Sequence, residues 1–179
     1  HTLGPWRAAE RFLAELESKN LINKVNRVKV DLYGSLSLTG KGHATDLAVM
    51  LGLSGQDPEY IPIEDIAGII KTIEDSNEIN LGNKIKIPFF FLQDIVFNKN
   101  FLPFHANGLT FTAYTSEDNI YESTFYSIGG GFVVKEERAN AKKKNQIKCA
   151  FPFPIDNAKE LLEYCLSQNK KVSEIVYEN

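Results

Sequence analysis

Cysteine is scarce in this chain: Cys149 and Cys165 are the only two in 179 residues. Two thiols make neither a disulfide framework nor a CxxC redox pair, and an iron–sulfur cluster usually takes about four protein thiolates. A reducing, cytoplasmic compartment is the default this implies. No apolar run approaches the ~20 residues of a membrane helix, so the chain reads as a soluble protein without a membrane partner. Neither charge dominates, with 20 basic groups against 23 acidic ones and a net charge of −3. That balance argues against a nucleic-acid partner and against a disordered acidic tail. A signal-peptide pattern is missing as well. Pro5 and Arg7 interrupt the opening, and the chain starts at His1 rather than Met, which reads as a processed or truncated start. Solenoid-period repeats are absent. The three histidines share no ligand spacing, so the sequence points to no metal site of its own.

What is present suits one domain with a real core: 43% of residues are hydrophobic. Trp6, Ala9, Leu13 and Leu16 recur at helical spacing, with Pro5 in the first turn, and predict a helix over 4–19. Val28, Val30 and Leu32 alternate with Lys29 and Asp31, a half-buried strand over 26–33. A glycine-rich turn, 34–42, leads to a second helix marked by Ala44, Leu47, Ala48 and Leu51 and ended near Gly52. Ile63, Ile66, Ile69, Ile70 and Ile73 share one side of a third helix, 63–76. Residues 84–98 suit strand or helix equally by periodicity. The alternating runs 109–113 and 120–127 flank the polar turn 116–119 and predict a hairpin. A short strand, 132–135, follows the triple glycine 129–131. Residues 136–149, with Lys142, Lys143 and Lys144, read as a mobile basic loop. Asp156 then caps a helix carrying Ala158, Leu161, Leu162 and Cys165 on one face, with Cys165 in the core. A last turn or two starts at Ser173. The pattern is α+β, a mixed or antiparallel sheet packed against several helices, in one domain spanning 1–179.

Three segments carry polar groups suited to a site. Tyr33 to His43 joins a strand to a helix, where phosphate loops occur. It departs from the Walker pattern, because five residues rather than four separate Gly34 from Gly40 and Gly42 replaces the hydroxyl residue. A helix N-terminus still holds other anions, a carboxylate included. His43 near that helix start is expected to stay neutral and basic. In the second segment, His105 and Asn107 lie two apart on an extended stretch and so project to one side, to grip a ligand or brace a turn. The third runs from Tyr126 to Gly131, where consecutive glycines form either an anion-binding nest or a bulge between strands.

Together these pieces resemble one family, the iron–sulfur-dependent L-serine dehydratases (L-serine ammonia-lyases), in their β domain. The matching residues are His1-Thr2-x-Gly4-Pro5, Tyr33-Gly-Ser-Leu-x-Leu-Thr-Gly-Lys-Gly-His43 with Thr45-Asp46, Leu102-Pro-x-His105-x-Asn107-Gly108, Tyr126-Ser-Ile-Gly-Gly-Gly-Phe132, and Phe151-Pro-Phe with the Glu160-Leu-Leu helix. The resemblance implies conversion of L-serine to pyruvate and ammonia, with His43 as the base. It implies Ser35, Thr39, His105, Asn107, Ser127, Gly129 and Gly130 as substrate-orienting groups, and His1 and Lys41 as further active-site candidates. It also implies a four-iron, four-sulfur cluster ligated outside this chain, on the α domain of the same enzyme, which binds the substrate hydroxyl as a Lewis acid. This chain alone is then an inactive β-domain fragment, or a separate β subunit, that binds no cluster itself, and the whole enzyme is expected to be a homodimer. The alternative is an allosteric serine-binding domain of the kind found in some phosphoglycerate dehydrogenases.

Overall fold

Helical spacing in the first segment folds as read. Helix α1 (Leu3–Ser18) buries Trp6, Ala9, Phe12, Leu13 and Leu16 along one stripe and leaves Ala14, Glu17 and Ser18 in solvent. The structure, a computed structural model, describes residues 1–116, 120–136, 151–155 and 157–179. The chain separates into two compact units, His1–Ala141 and Lys142–Asn179.

The first unit is built on a sheet. Its strands are β1 (Val25–Leu32), β4 (Ile95–Phe97), β5 (Gly108–Thr115), β6 (Ile120–Gly129) and β7 (Phe132–Lys135), in the order β4-β1-β5-β6-β7. β1 pairs parallel with β4 and antiparallel with β5, so the sheet is mixed and the class is α+β. Register follows the alternation: Val30 opposes Phe111 and faces the core, while Asp31 opposes Thr110 on the other face. β2 (Glu78–Leu81) and β3 (Ile85–Pro88) form a separate antiparallel pair.

α1 runs along the inward face of β6. Phe12 stacks on Phe111 with ring centroids 5.0 Å apart, and Glu15 meets Tyr121 and Ser123 further along. At the other end of α1, Gly4 lies against Ser127. Helix α3 (Thr45–Leu53) packs on α1 through Gly52, where a Cβ would come 2.7 Å from the Cβ of Ala9. Helix α3 is buried nearly all round, with Ala48, Val49, Met50, Leu51 and Leu53 in the core.

Several elements differ from the sequence reading. The expected turn over 34–42 is a short helix, α2 (Gly34–Thr39), followed by a 3-10 turn at Gly40–His43. Gly34 opens it at φ +53°, a left-handed backbone that favours glycine, and the buried Leu36 anchors it. Helix α3 ends at Leu53, next to Gly52 as the sequence implies, and Gly52 also serves the close helix contact. In α4 (Ile63–Ser76) only Ile70 and Ile73 are buried and Ile63 is 84% exposed, so the isoleucine side is only partly covered. The ambiguous stretch 84–98 divides into β3, a one-turn helix α5 (Phe91–Asp94) and β4.

In the second unit, α6 (Ala158–Gln168) starts at Asn157, whose Oδ1 accepts from the N–H groups of Lys159 and Glu160 at 3.1 Å. The expected cap, Asp156, lies outside the described residues. Cys165 is half-exposed rather than core, since α6 buries none of its side chains fully. α7 (Val172–Glu178) closes the chain. The basic loop and Cys149 fall, except for Glu136, outside the described residues.

Candidate active site

One end of the sheet gathers the three polar segments. The C-terminal end of β1, the start of β5 and the end of β6 lie side by side there, with Leu32 opposite Leu109 and Gly108 opposite Tyr126. Backbone bonds stitch the segments together. Gly34 N–H donates to Asn100 O at 2.9 Å, Ser35 N–H to Ala106 O at 2.8 Å, and Ser127 N–H to Asn107 O at 2.9 Å. Gly34 is required by this seam, because a side chain there would run into the Ala106 carbonyl and Phe101.

The residues before and at the start of α1 complete the group. His1 Nδ1 lies 2.8 Å from Thr39 Oγ1, and His1 Nε2 lies 3.4 Å from Ser35 Oγ. Thr39 Oγ1 donates to Ser35 O at 2.9 Å. The rings of His1 and His43 meet edge to face with centroids 5.3 Å apart. Two hydroxyls lock the pair from opposite directions: Thr45 Oγ1 donates to His1 O at 2.7 Å, and Thr2 Oγ1 to His43 O at 2.8 Å. His1, Thr39 and His43 are exposed and Ser35 is half-buried, so this cluster opens onto the surface. A cavity of about 610 Å³ lies elsewhere, between α4 and the β2–β3 pair.

His43 does not sit in the first turn of α3. It ends the 3-10 turn, and Ala44 in the left-handed region separates it from Thr45. Among the described residues neither ring nitrogen of His43 makes a hydrogen bond; only its carbonyl is held.

His105 and Asn107 do not project in parallel, because the segment turns rather than running straight. His105 Nδ1 accepts from the backbone N–H of Asn107 at 3.1 Å, while Asn107 Nδ2 donates to Ser127 O at 3.2 Å. Ser127 itself is buried against Gly4. Gly129, Gly130 and Gly131 have φ of +105°, +58° and +79°. Gly130 and Gly131 make the tight turn between β6 and β7, and the register shifts between Ser127 and Gly129 as in a bulge. Gly131 abuts Leu3. Lys41 turns away, its ammonium 5.3 Å from the Phe97 ring centroid.

The structure thus brings His1, Ser35, Thr39 and His43 together, and separately joins His105, Asn107 and Ser127. The start of α1 touches both groups. Sequence reasoning missed the two locking hydroxyls, Thr2 and Thr45; their signal was adjacency to His1 and to the His43 motif. Among the described residues no three His, Cys, Asp or Glu side chains gather as a metal site. Cys165 is the cysteine they include.

The family described as serine dehydratase beta chain matches residues 1–138. L-serine dehydratase 1 of Escherichia coli K12 is 39% identical over 180 residues, covering all of this chain and 39% of that protein. The L-serine dehydratase of Haemophilus influenzae is 37% identical over 182 residues, covering all of this chain and 39% of its own length. That of Streptomyces coelicolor is 38% identical over 181 residues, covering all of this chain and 40% of its own length. The chain therefore spans about two-fifths of the length of the curated relatives it matches. Because the family match runs from His1 through the whole sheet and the relatives align along the full chain, this chain belongs to the serine dehydratase beta chain family.

Proposed function

We propose that this chain is the β domain of an L-serine dehydratase that converts L-serine to pyruvate and ammonia, and that it supplies the base and the substrate-orienting groups. The observation that carries the reading is the contrast within the histidine pair. His1 is held through Nδ1 at 2.8 Å from Thr39 Oγ1, whereas His43, its ring centroid 5.3 Å away, keeps both ring nitrogens free of partners among the described residues. A weakly acidic α-proton needs a positioned base with an available lone pair, and His43 provides one at the surface.

The chemistry balances on serine itself. His43 takes the α-proton, the protonated imidazole hands it on to the departing β-hydroxyl, which leaves as water, and 2-aminoacrylate results. Tautomerisation gives the imine, whose hydrolysis consumes one water and releases ammonia, leaving pyruvate. Asn107 and the N–H groups of Gly129 and Gly130, at the Ser127 end of β6, are suited to the substrate carboxylate, which calls for clustered donors, while Ser35 orients the substrate from beside His1. On this reading the four-iron, four-sulfur cluster belongs to the α domain beyond this chain. An apolar rim supports that partner: Leu3, Leu38, Phe101, Phe104, Ile128 and Phe132 stand exposed around the polar groups, and Phe132 is 70% exposed.

No helix among the described residues is long and apolar enough to cross a membrane. The test is pyruvate release from L-serine by the anaerobically purified full-length protein. Absence of pyruvate overturns the reading.

A further inference from the structure

Thr39 has one hydroxyl hydrogen and two neighbours that call for one. Its contact with Ser35 O, at 2.9 Å, is made to a carbonyl, which has no proton to give, so the hydroxyl must donate there. Its contact with His1 Nδ1, at 2.8 Å, must then be supplied from the imidazole side. Both bonds exist together only when Nδ1 carries the hydrogen. A neutral imidazole holds a single ring proton, so Nε2 is left as a lone-pair acceptor.

Nε2 faces Ser35 Oγ at 3.4 Å, long for a hydroxyl donor, and that lone pair is only loosely claimed. The backbone of His1 is pinned by Thr45 Oγ1, so the ring is held from both its main chain and its side chain. It opens to solvent beside the free imidazole of His43. Serine is a zwitterion, and its ammonium requires acceptors in a region otherwise rich in donors.

We propose that Thr39 is a positioning residue that holds His1 as its Nδ1–H tautomer, so that His1 Nε2 accepts a hydrogen bond from the ammonium group of serine. The inference rests on the serine dehydratase reading and adds to it a division of labour: His43 handles the α-proton and His1 grips the amino group. An ammonium donor replaces the long Ser35 contact with a charge-assisted bond. Thr39 touches no substrate and acts only through His1.

The test uses the full-length protein with 15N-labelled histidine, the His1 signals being assigned by their loss in His1→Gln. Two-bond 15N–1H correlation reads the tautomer directly, whether or not the enzyme turns over. Wild type is expected to show His1 as Nδ1–H. Thr39→Val is expected to abolish that preference and to raise KM for L-serine about tenfold, the loss of one hydrogen-bonded grip. The same variant should change kcat by less than about threefold, because the grip is made in ground state and transition state alike. Thr39→Ser, which keeps the hydroxyl, should restore tautomer and KM together. A wild-type His1 found as Nε2–H or as imidazolium, or an unchanged KM in Thr39→Val, overturns the proposal. Failure of the serine reading looks different: the wild-type protein would release no pyruvate while the tautomer result stood.

Discussion

Gly4 of α1 lies so close to Ser127 at the end of β6 that any side chain at position 4 would occupy the space of the Ser127 hydroxyl. This contact fixes where the start of α1, and hence His1, stands relative to the β5–β6 end of the sheet. Gly4→Ala is expected to cost about 1–3 kcal/mol, the usual penalty of overpacking, visible as a lowered thermal midpoint. Adding Ser127→Ala should recover part of the loss, since it vacates the contested volume. A Gly4→Ala protein as stable as wild type would show that the helix end is free to shift.

His43→Ala in the full-length protein is expected to lower kcat by about 10²–10⁴-fold, the range of a lost general base. The unfolding midpoint should stay near wild type, because the ring is exposed and the residue is tied to Thr2 only through its carbonyl. Steady-state kinetics beside a melting curve decide it: most of the kcat retained would remove His43 from the role of base.

Much of the fold was legible because its elements bury one regular stripe. Trp6, Ala9, Leu13 and Leu16 mark α1, and Leu109, Phe111 and Ala113 mark β5, each buried as its period requires. α2 was illegible because it begins at a glycine with positive φ and spans fewer than two turns, too short for a period to register. The β2–β3 pair was missed although Gly82 and Asn83, both at φ +56°, stand between Ile79, Leu81 and Ile85, Ile87. That is a hairpin signal in its own right. The site residues were visible as types and as a family resemblance, but their partnerships were not. Thr39 is 38 positions from His1, and no local spacing announces that contact. Lys41 stands two residues after Thr39, in the 3-10 turn that follows α2, yet its ammonium reaches the face of Phe97 instead.

Asn107 ties two loops of the candidate site, through its amide to Ser127 O at 3.2 Å and through its carbonyl to Ser127 N–H at 2.9 Å. Asn107→Ala removes only the first. The stability cost is expected to be about 0.5–1.5 kcal/mol, that of one net hydrogen bond. KM for L-serine should rise further than this loss of stability accounts for, since the amide also stands among the proposed carboxylate donors. Unchanged KM with a lowered midpoint would make Asn107 a purely structural brace.

Acid sensitivity should concentrate at Glu15. Burial pushes its carboxyl up, but hydrogen bonds from Ser123, Tyr121 and Lys135 outweigh burial and hold it below its ordinary value of 4.5. Ser123 Oγ donates at 2.6 Å, Tyr121 OH at 2.8 Å and Lys135 Nζ at 3.1 Å. A carboxyl with a depressed folded pKa contributes stability that is fully present above its unfolded pKa. That contribution drains away as pH falls through the ordinary value toward the folded one, because the unfolded chain takes up the proton first. The network joins α1 to β6 and β7, so its loss loosens the helix that carries His1. Glu15→Gln should therefore be less stable than wild type at pH 7, and the gap between the two should close as the pH is lowered below 4.5. Denaturant midpoints measured across that range provide the check. Parallel curves for the two proteins would show that Glu15 bears no share of the acid transition.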